Sequence, residues 1–255
     1  MARVFVTGST DGLGLNAART LLRESHQVVL HARSHERAWA ATDLLSPSLG
    51  VVVGDLSSAA ETRSLAAQVN AIGRMDAVIH NAGIYSTPGR IATPEGHASV
   101  LAVNALAPYM LTALIERPRR LIYLSSGMHR SGDASLRDID WIERRWNSSQ
   151  AYCDSKLYVA ALAFAVARRW PDVQSNVVDP GWVPTKMGGL GAPGDLELGH
   201  LTQTWLATSD DPAAMVSGGY WHHRRRQTPA QDVPDSRFQD QLLAELDRLT
   251  GIPLV

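Results

Sequence analysis

Short apolar runs recur along the chain and alternate with segments of helical spacing, and this alternation limits the fold more than any other feature. The runs are Val4-Phe5-Val6, Val28-Val29-Leu30, Val51-Val52-Val53, Ala77-Val78-Ile79, Leu121-Ile122-Tyr123-Leu124 and Val177-Val178. Most are continuous rather than alternately polar, as expected of parallel strands covered on both faces. Helical spacing fills the intervals over Leu15 to Arg23, Ala59 to Ile72 and Ala151 to Arg169. Strand and helix alternate from the N-terminus, which predicts an α/β chain with a doubly wound parallel sheet. With 255 residues and no repeat, linker or composition break, residues 1–255 read as a single domain. The glycine-rich stretch Gly188 to Gly194 predicts a mobile loop around 186–200. A closing helix is expected around 236–249.

The first strand leads into Thr7-Gly8-Ser9-Thr10-Asp11-Gly12-Leu13-Gly14 and then a helix. A phosphate group is held where a helix begins, because free N–H groups and the positive dipole end point at it. Glycines allow the tight turn and the close approach. The spacing of Gly8, Gly12 and Gly14 departs from G-x-G-x-x-G, and an ordinary strand-to-helix turn is the competing reading.

Composition matters at one point. Of 24 basic residues, 22 are Arg and two are Lys, Lys156 and Lys186. Lys156 follows Tyr152 by four residues on a predicted helix, so the two side chains share a face. A phenol ionises near ~10, and a neighbouring ammonium favours the phenolate. Such a pair can move protons near neutral pH. An ammonium is also a compact charge suited to two ribose hydroxyls, unlike the planar guanidinium that this chain otherwise uses. Lys186 follows Thr185 at the start of the predicted loop and has no comparable account.

The loop Thr7-Gly8-x-x-x-Gly12-x-Gly14 resembles the cofactor loop of the short-chain dehydrogenase/reductase family. Further marks follow in register: Asp55-Leu56, Asn81-Ala82-Gly83, Asn104, Ser125-Ser126, Tyr152-Cys153-Asp154-Ser155-Lys156 and Pro180-Gly181-Trp182-Val183-Pro184-Thr185. His80 takes a slot that the family often fills with Asn. The resemblance covers roughly residues 3 to 221 and implies a Rossmann-type fold. It also implies roles. Tyr152 would exchange a proton with the substrate oxygen. Lys156 would lower the tyrosine pKa and hold the nicotinamide ribose. Ser126 would hydrogen-bond the substrate oxygen, with Ser125 its rival, and Asn104 would hold a water joining Lys156 to solvent. Gly8, Thr10, Asp11, Gly12, Leu13, Gly14, Asp55, Leu56, Asn81, Ala82, Gly83, Pro180, Gly181, Val183 and Thr185 would bind the dinucleotide. The Ser126-to-Tyr152 gap of 26 resembles the retinol dehydrogenase-like and carbonyl reductase branch, which inserts a segment there. In the family the helix after Asn104 often joins subunits in a homo-oligomer; here it reads short.

Strand two ends in Leu30-His31-Ala32-Arg33-Ser34. The absence of an acid, with Arg33 and Ser34 present, favours NADP(H) over NAD(H), because a guanidinium suits the ribose 2′-phosphate. Tryptophans 39, 141, 146, 170, 182, 205 and 221 include several in segments that face substrate in relatives. They suggest a bulky apolar ketone or alcohol, and the loop could close over it. The cluster His222-His223-Arg224-Arg225-Arg226 reads as a solvated basic loop, and no metal site is expected. A single cysteine, Cys153, precludes an internal disulfide and fits a reducing, cytoplasmic setting. Balanced charge, net -1, argues against nucleic acid. No apolar run reaches the ~18 residues of a membrane helix, and no signal peptide precedes the first strand. The reading is an NADPH-dependent carbonyl reductase. Its rivals are an extended-family epimerase or dehydratase, and a catalytically silent dinucleotide-binding regulatory protein of the same fold.

Overall fold

The computed structural model describes residues 1–39, 42–85 and 87–255. In chain order, β1 (Arg3–Val6) leads to α1 (Gly12–Arg23) and β2 (Gln27–Ala32). Two short helices, α2 (His35–Trp39) and α3 (Thr42–Leu45), precede β3 (Gly50–Val53), α4 (Ala59–Ile72) and β4 (Ala77–His80). Next, α5 (Ser99–Leu101) passes through a π-helical turn over Ala102–Leu106 into α6 (Ala107–Leu114), then β5 (Arg120–Leu124). A 3₁₀ turn over Gly127–Ser131 precedes α7 (Ser148–Arg169), β6 (Gln174–Asp179) and α8 (Leu198–Thr208). The hairpin β7 (Gly219–His222) and β8 (Arg225–Gln227) then leads to α9 (Ser236–Thr250).

The strands form one sheet in the order β3-β2-β1-β4-β5-β6-β7-β8. All neighbours from β3 to β7 are parallel, and β8 is antiparallel to β7. Each inner strand is buried because helices cover both faces, which is why its apolar residues run without alternation. The chain reverses direction between β1 and β4. At such a switch point the connections leave in opposite directions and open a cleft at the strand C-termini. Into that cleft project the loops after β1, β4, β5 and β6.

The local starts follow side-chain chemistry. Asp11 accepts the Gly12 N–H at the head of α1, Ser58 caps α4, and Asn147 caps α7. The cluster at 222–226 is not a simple solvated loop. His222 ends β7, His223 and Arg224 make the turn, and Arg225 and Arg226 lie exposed in β8. Three residues are too few to announce a strand by pattern.

Buried histidines make the fold acid-sensitive. His31 accepts the Gly8 N–H at Nδ1 (2.8 Å) and gives its Nε2 proton to the Gly54 carbonyl (2.8 Å), so its partners fix the neutral tautomer. His80 stacks on Tyr123 at 4.6 Å, and burial pulls its pKa down to about 3. Burial lowers His31 as well. The unfolded chain therefore binds more protons below about 6.5, and stability falls as pH drops through that value toward the folded pKa. Between about pH 7 and 5, His80 alone removes roughly 2 kcal/mol, with His31 acting in the same direction. Denaturant midpoints at those two pH values measure it, and His80→Asn should shrink the difference.

Candidate active site

The strand ends set out the reactive groups. Ser125 is a buried peg: its Oγ donates to the Lys156 carbonyl (2.8 Å), and its N–H bonds the Val178 carbonyl. Ser126 faces the cleft instead. Its hydroxyl accepts the Met128 N–H (3.2 Å) and acts to lower the Tyr152 phenol. Tyr152 and Lys156 lie one turn apart on α7, with Nζ 5.5 Å from the phenol ring centroid. The ammonium donates to the Leu124 carbonyl at 2.9 Å. Asn104 sits in the π-helical turn, a feature frequent at functional sites. Its amide exchanges two hydrogen bonds with the Ile84 backbone and gives a third to Ser155 Oγ. One Oδ1 lone pair is left, toward Gly83. A Cβ on Gly83 would lie 3.3 Å from both that oxygen and Lys156 Nζ.

The electrostatics depart from the expected lowering of the phenol. Burial pushes Tyr152 up to about 12; the Ser126 hydroxyl opposes this and the Asp179 carboxylate adds to it. Burial also brings Lys156 down to about 8. Burial outweighs any lowering by the ammonium, which lies 5.5 Å from the ring centroid and donates to Leu124. Near neutral pH this leaves a protonated phenol beside a charged lysine, the states that a proton donor and an anion holder need.

The glycine loop closes against the loop after β4. Gly8 has φ +63 and packs so tightly that a Cβ there would stand 3.1 Å from Ala82 Cα. A Cβ on Gly14 would fall 2.3 Å from the Gly8 carbonyl oxygen. Asn81 ties β4 to this turn through Thr7 and Gly8, and its Oδ1 is buried without a partner. Thr185 meets the open side of Gly12, while Thr10 is half-buried in the turn. Leu13 packs against the first turn of α8, beside Val183 and the Pro180 carbonyl. At the far corner Leu56 is buried, and Asp55 turns its carboxylate onto the Ser57 N–H. Arg33 is exposed after β2, and Ser34 accepts the Arg37 N–H.

Lys186 now has an account. Its Nζ lies 2.6 Å from Asp11 Oδ2, joining the segment after β6 to the glycine loop. Despite the opposing effect of partial burial, Lys186, with Gly12 and Arg37, holds the Asp11 carboxyl below its usual range. At 75% exposure of the lysine side chain, such a pair contributes at most about 1 kcal/mol. The final residues of the predicted loop are helical, since α8 begins at Leu198.

Most tryptophans serve packing. Trp170 stacks under Arg117, and Trp205 meets Trp221 edge-on at 5.4 Å on the opposite side of the sheet. Trp141 is buried under Arg144 and against Trp146, in an insert anchored by the Arg144–Asp154 ion pair at 2.9 Å. Trp39 is 70% exposed on α2. Trp182 reaches the cleft, 64% exposed, with its Nε1 on the Gly188 carbonyl. Sequence reasoning missed Tyr85, which packs edge-on against Tyr152 at 4.7 Å, and Arg37, 3.6 Å from Asp11. It also missed Asp179. An acid directly before Pro180-Gly181 was the available signal.

Comparison with known proteins gives the family. A family model described as short chain dehydrogenase matches residues 2–121. The short-chain dehydrogenase chry4 of Gibberella zeae is 43% identical, covering 100% of this chain and 99% of that protein. The chain belongs to the short-chain dehydrogenase/reductase family. Human retinol dehydrogenase 13 is 30% identical over 98% of the chain and 84% of its own length. A crystal structure of an uncharacterised protein from Mycobacterium paratuberculosis superposes with a TM-score of 0.87 at 25% identity, covering 100% and 95% of the two chains. The RhlG/NADP complex of Pseudomonas aeruginosa superposes with a TM-score of 0.68 at 22% identity, covering 87% and 94%.

As a member of the short-chain dehydrogenase/reductase family, the protein is an NAD(P)-dependent oxidoreductase acting on CH–OH and C=O groups. Its cleft suits a dinucleotide on structural grounds. Added Cβ atoms would fill the cradle at Gly8 and Gly14, and Asn81 Oδ1 is an orphan acceptor beside it. Among the described residues no helix is long and apolar enough to cross a membrane, and no His, Cys, Asp and Glu group is set to hold a metal ion.

Proposed function

We propose that this protein is an NADPH-preferring carbonyl reductase of bulky, largely apolar ketones. The observation that carries the reading is the buried Tyr152 phenol, with the Ser126 hydroxyl acting on it and the Lys156 ammonium one turn away. A bound reduced dinucleotide supplies a hydride to the carbonyl carbon. Tyr152 gives its phenolic proton to the carbonyl oxygen, so the product leaves as a neutral alcohol. Ser126 donates to that oxygen while charge builds there. Lys156 would hold the ribose hydroxyls, and Asn104, fixed by the Ile84 backbone and Ser155, would hold a water joining Lys156 to solvent. Gly8, Thr10, Asp11, Gly12, Leu13 and Gly14 would cradle the pyrophosphate side. Asp55 and Leu56 would bound the adenine, with Asn81, Ala82 and Gly83 along the cleft floor. Pro180, Gly181, Val183 and Thr185 would face the nicotinamide.

The NADP preference is supported by Arg33 and Ser34, with Arg37 one helical turn on. The neighbouring fold of RhlG is one solved with NADP. Tyr85, Trp182, Met187 and the 99% exposed Leu190 favour a large apolar substrate, and the segment before α8 would cover it. The test follows reduced-cofactor absorbance with ketones of graded bulk, using NADPH and then NADH. Arg33→Ala is expected to raise the NADPH KM at least ~10-fold while sparing NADH, as loss of a charge-assisted phosphate contact requires. A native preference for NADH would refute the cofactor assignment, and turnover confined to small hydrophilic carbonyls would refute the substrate class.

A further inference from the structure

We propose that Asp179 and His223 form an acceptor pair in the substrate cleft, and that the preferred ketone carries an N–H or O–H donor beside its reacting carbonyl. This rests on the ketone-reducing reading above and deepens it.

The position comes from β6 and the hairpin that follows it. Asp179 ends β6, and its carboxylate lies so close to the residue after Ser126 that a Cβ on Gly127 would be 3.2 Å from Oδ2. The Gly181 N–H bonds Oδ1 at 3.0 Å, and the same carboxylate adds to the effect of burial in raising the Tyr220 phenol. A carboxylate offers roughly four lone-pair sites, so capacity remains. The surrounding titratable groups are Tyr152, Lys156, His129, Tyr220, His222 and His223. Lys156 is committed to Leu124, and His222 Nδ1 is 4.0 Å from Oδ2, on the Asp179 carbonyl instead.

His223 reaches the same place from the hairpin tip. His223 and Arg224 have φ 47 and 60, a left-handed pair that side-chain-bearing residues adopt at a cost. Glycine or asparagine would make this turn with less strain. The strained turn stacks His222 on His223 at 3.9 Å and lays both over Gly181. His223 Nε2 is buried without a partner, 3.7 Å from where a Gly181 Cβ would stand. With the imidazole proton on Nδ1, Nε2 is an acceptor.

A carboxylate here is unfavourable for a plain ketone. Negative charge builds on the carbonyl oxygen during hydride addition, and a fixed anion nearby opposes it. It also holds the Tyr152 phenol up, making it a weaker acid. A donor on the carbon next to the carbonyl reverses that balance, because it meets the remaining capacity of Asp179 and the unpartnered His223 Nε2.

Two probes of similar size decide it: hydroxymethyl phenyl ketone, which has the donor, and ethyl phenyl ketone, which lacks it. The native enzyme should favour the first by about 30-fold in kcat/KM, the scale of one hydrogen bond to a charged group. Asp179→Asn should cut that preference about tenfold and raise turnover of the ethyl ketone a few-fold. If this variant does not fold, His223→Phe, at the other acceptor, should cut the preference as well. An unchanged preference in the folded variants overturns the proposal. So does an equal loss on both ketones with a raised dinucleotide KM, which would place Asp179 on the cofactor. Dinucleotide binding by the native protein with neither ketone reduced overturns the reductase reading itself, and the proposal with it.

Discussion

Tyr152→Phe is expected to retain the dinucleotide and lose turnover by about 10³- to 10⁴-fold, the upper range for removing a positioned proton donor. The substitution deletes one oxygen. The ring stays packed edge-on against Tyr85 at 4.7 Å, so the walls of the cleft hold their shape. Lys156 keeps its bond to the Leu124 carbonyl and remains available to ribose hydroxyls. What disappears is the proton for the nascent alkoxide. The loss should therefore fall on kcat, with dinucleotide affinity within about threefold of native by fluorescence titration. This result separates an enzyme from a silent dinucleotide-binding protein of the same fold, which would show no turnover to lose. Turnover persisting in the variant within tenfold of native would remove Tyr152 from the reaction.

The parts of this site that local spacing controls were legible in the sequence. Tyr152 and Lys156 share a helix face because four residues make about one turn, and the strands announced themselves by burial on both faces. The loop after β1 was legible because its glycines have no other economical use at the head of a helix. Other parts depend on tertiary encounters that no window of sequence contains. Lys186 finds Asp11 across 175 residues. Asp179 matters because the β7–β8 hairpin folds back over Gly181, and that hairpin turns on His223-Arg224 rather than the glycine or asparagine that would signal it. The tryptophans left the reading open because one residue type fills cores and lines clefts alike. Trp141 and Trp182 carry the same sequence signal, yet one is buried under Arg144 and the other reaches the cleft. Lys156 was legible as a cation in the right place, but not its bond to a backbone carbonyl.

Gly14→Ala tests whether space or backbone freedom governs the cofactor loop. Its φ is not in the left-handed region, so alanine is conformationally allowed, and inside α1 it should gain about 1 kcal/mol of helix propensity. Propensity alone thus predicts stabilisation. The neighbours predict the reverse: the new Cβ would lie 2.3 Å from the Gly8 carbonyl oxygen and 2.4 Å from Asn81 Nδ2. Neither can yield cheaply, because one is backbone in a turn and the other holds Thr7 and Gly8 to β4. Overpacking of this kind costs about 1–3 kcal/mol, more than the propensity gain at its upper end. The displaced atoms also shape the phosphate cradle, so dinucleotide affinity should fall at least ~100-fold. Gly12→Ala supplies the contrast. There φ is +53 and a Cβ would meet nothing nearer than Thr185 Cγ2 at 3.7 Å. Its cost is the left-handed backbone, about 1–2 kcal/mol, with the cradle left in place. Melting curves and dinucleotide titrations of both variants should rank Gly14→Ala as the greater loss in binding. The opposite ranking would mean that turn conformation, rather than the closeness of Gly8 and Asn81, sets the affinity of this loop.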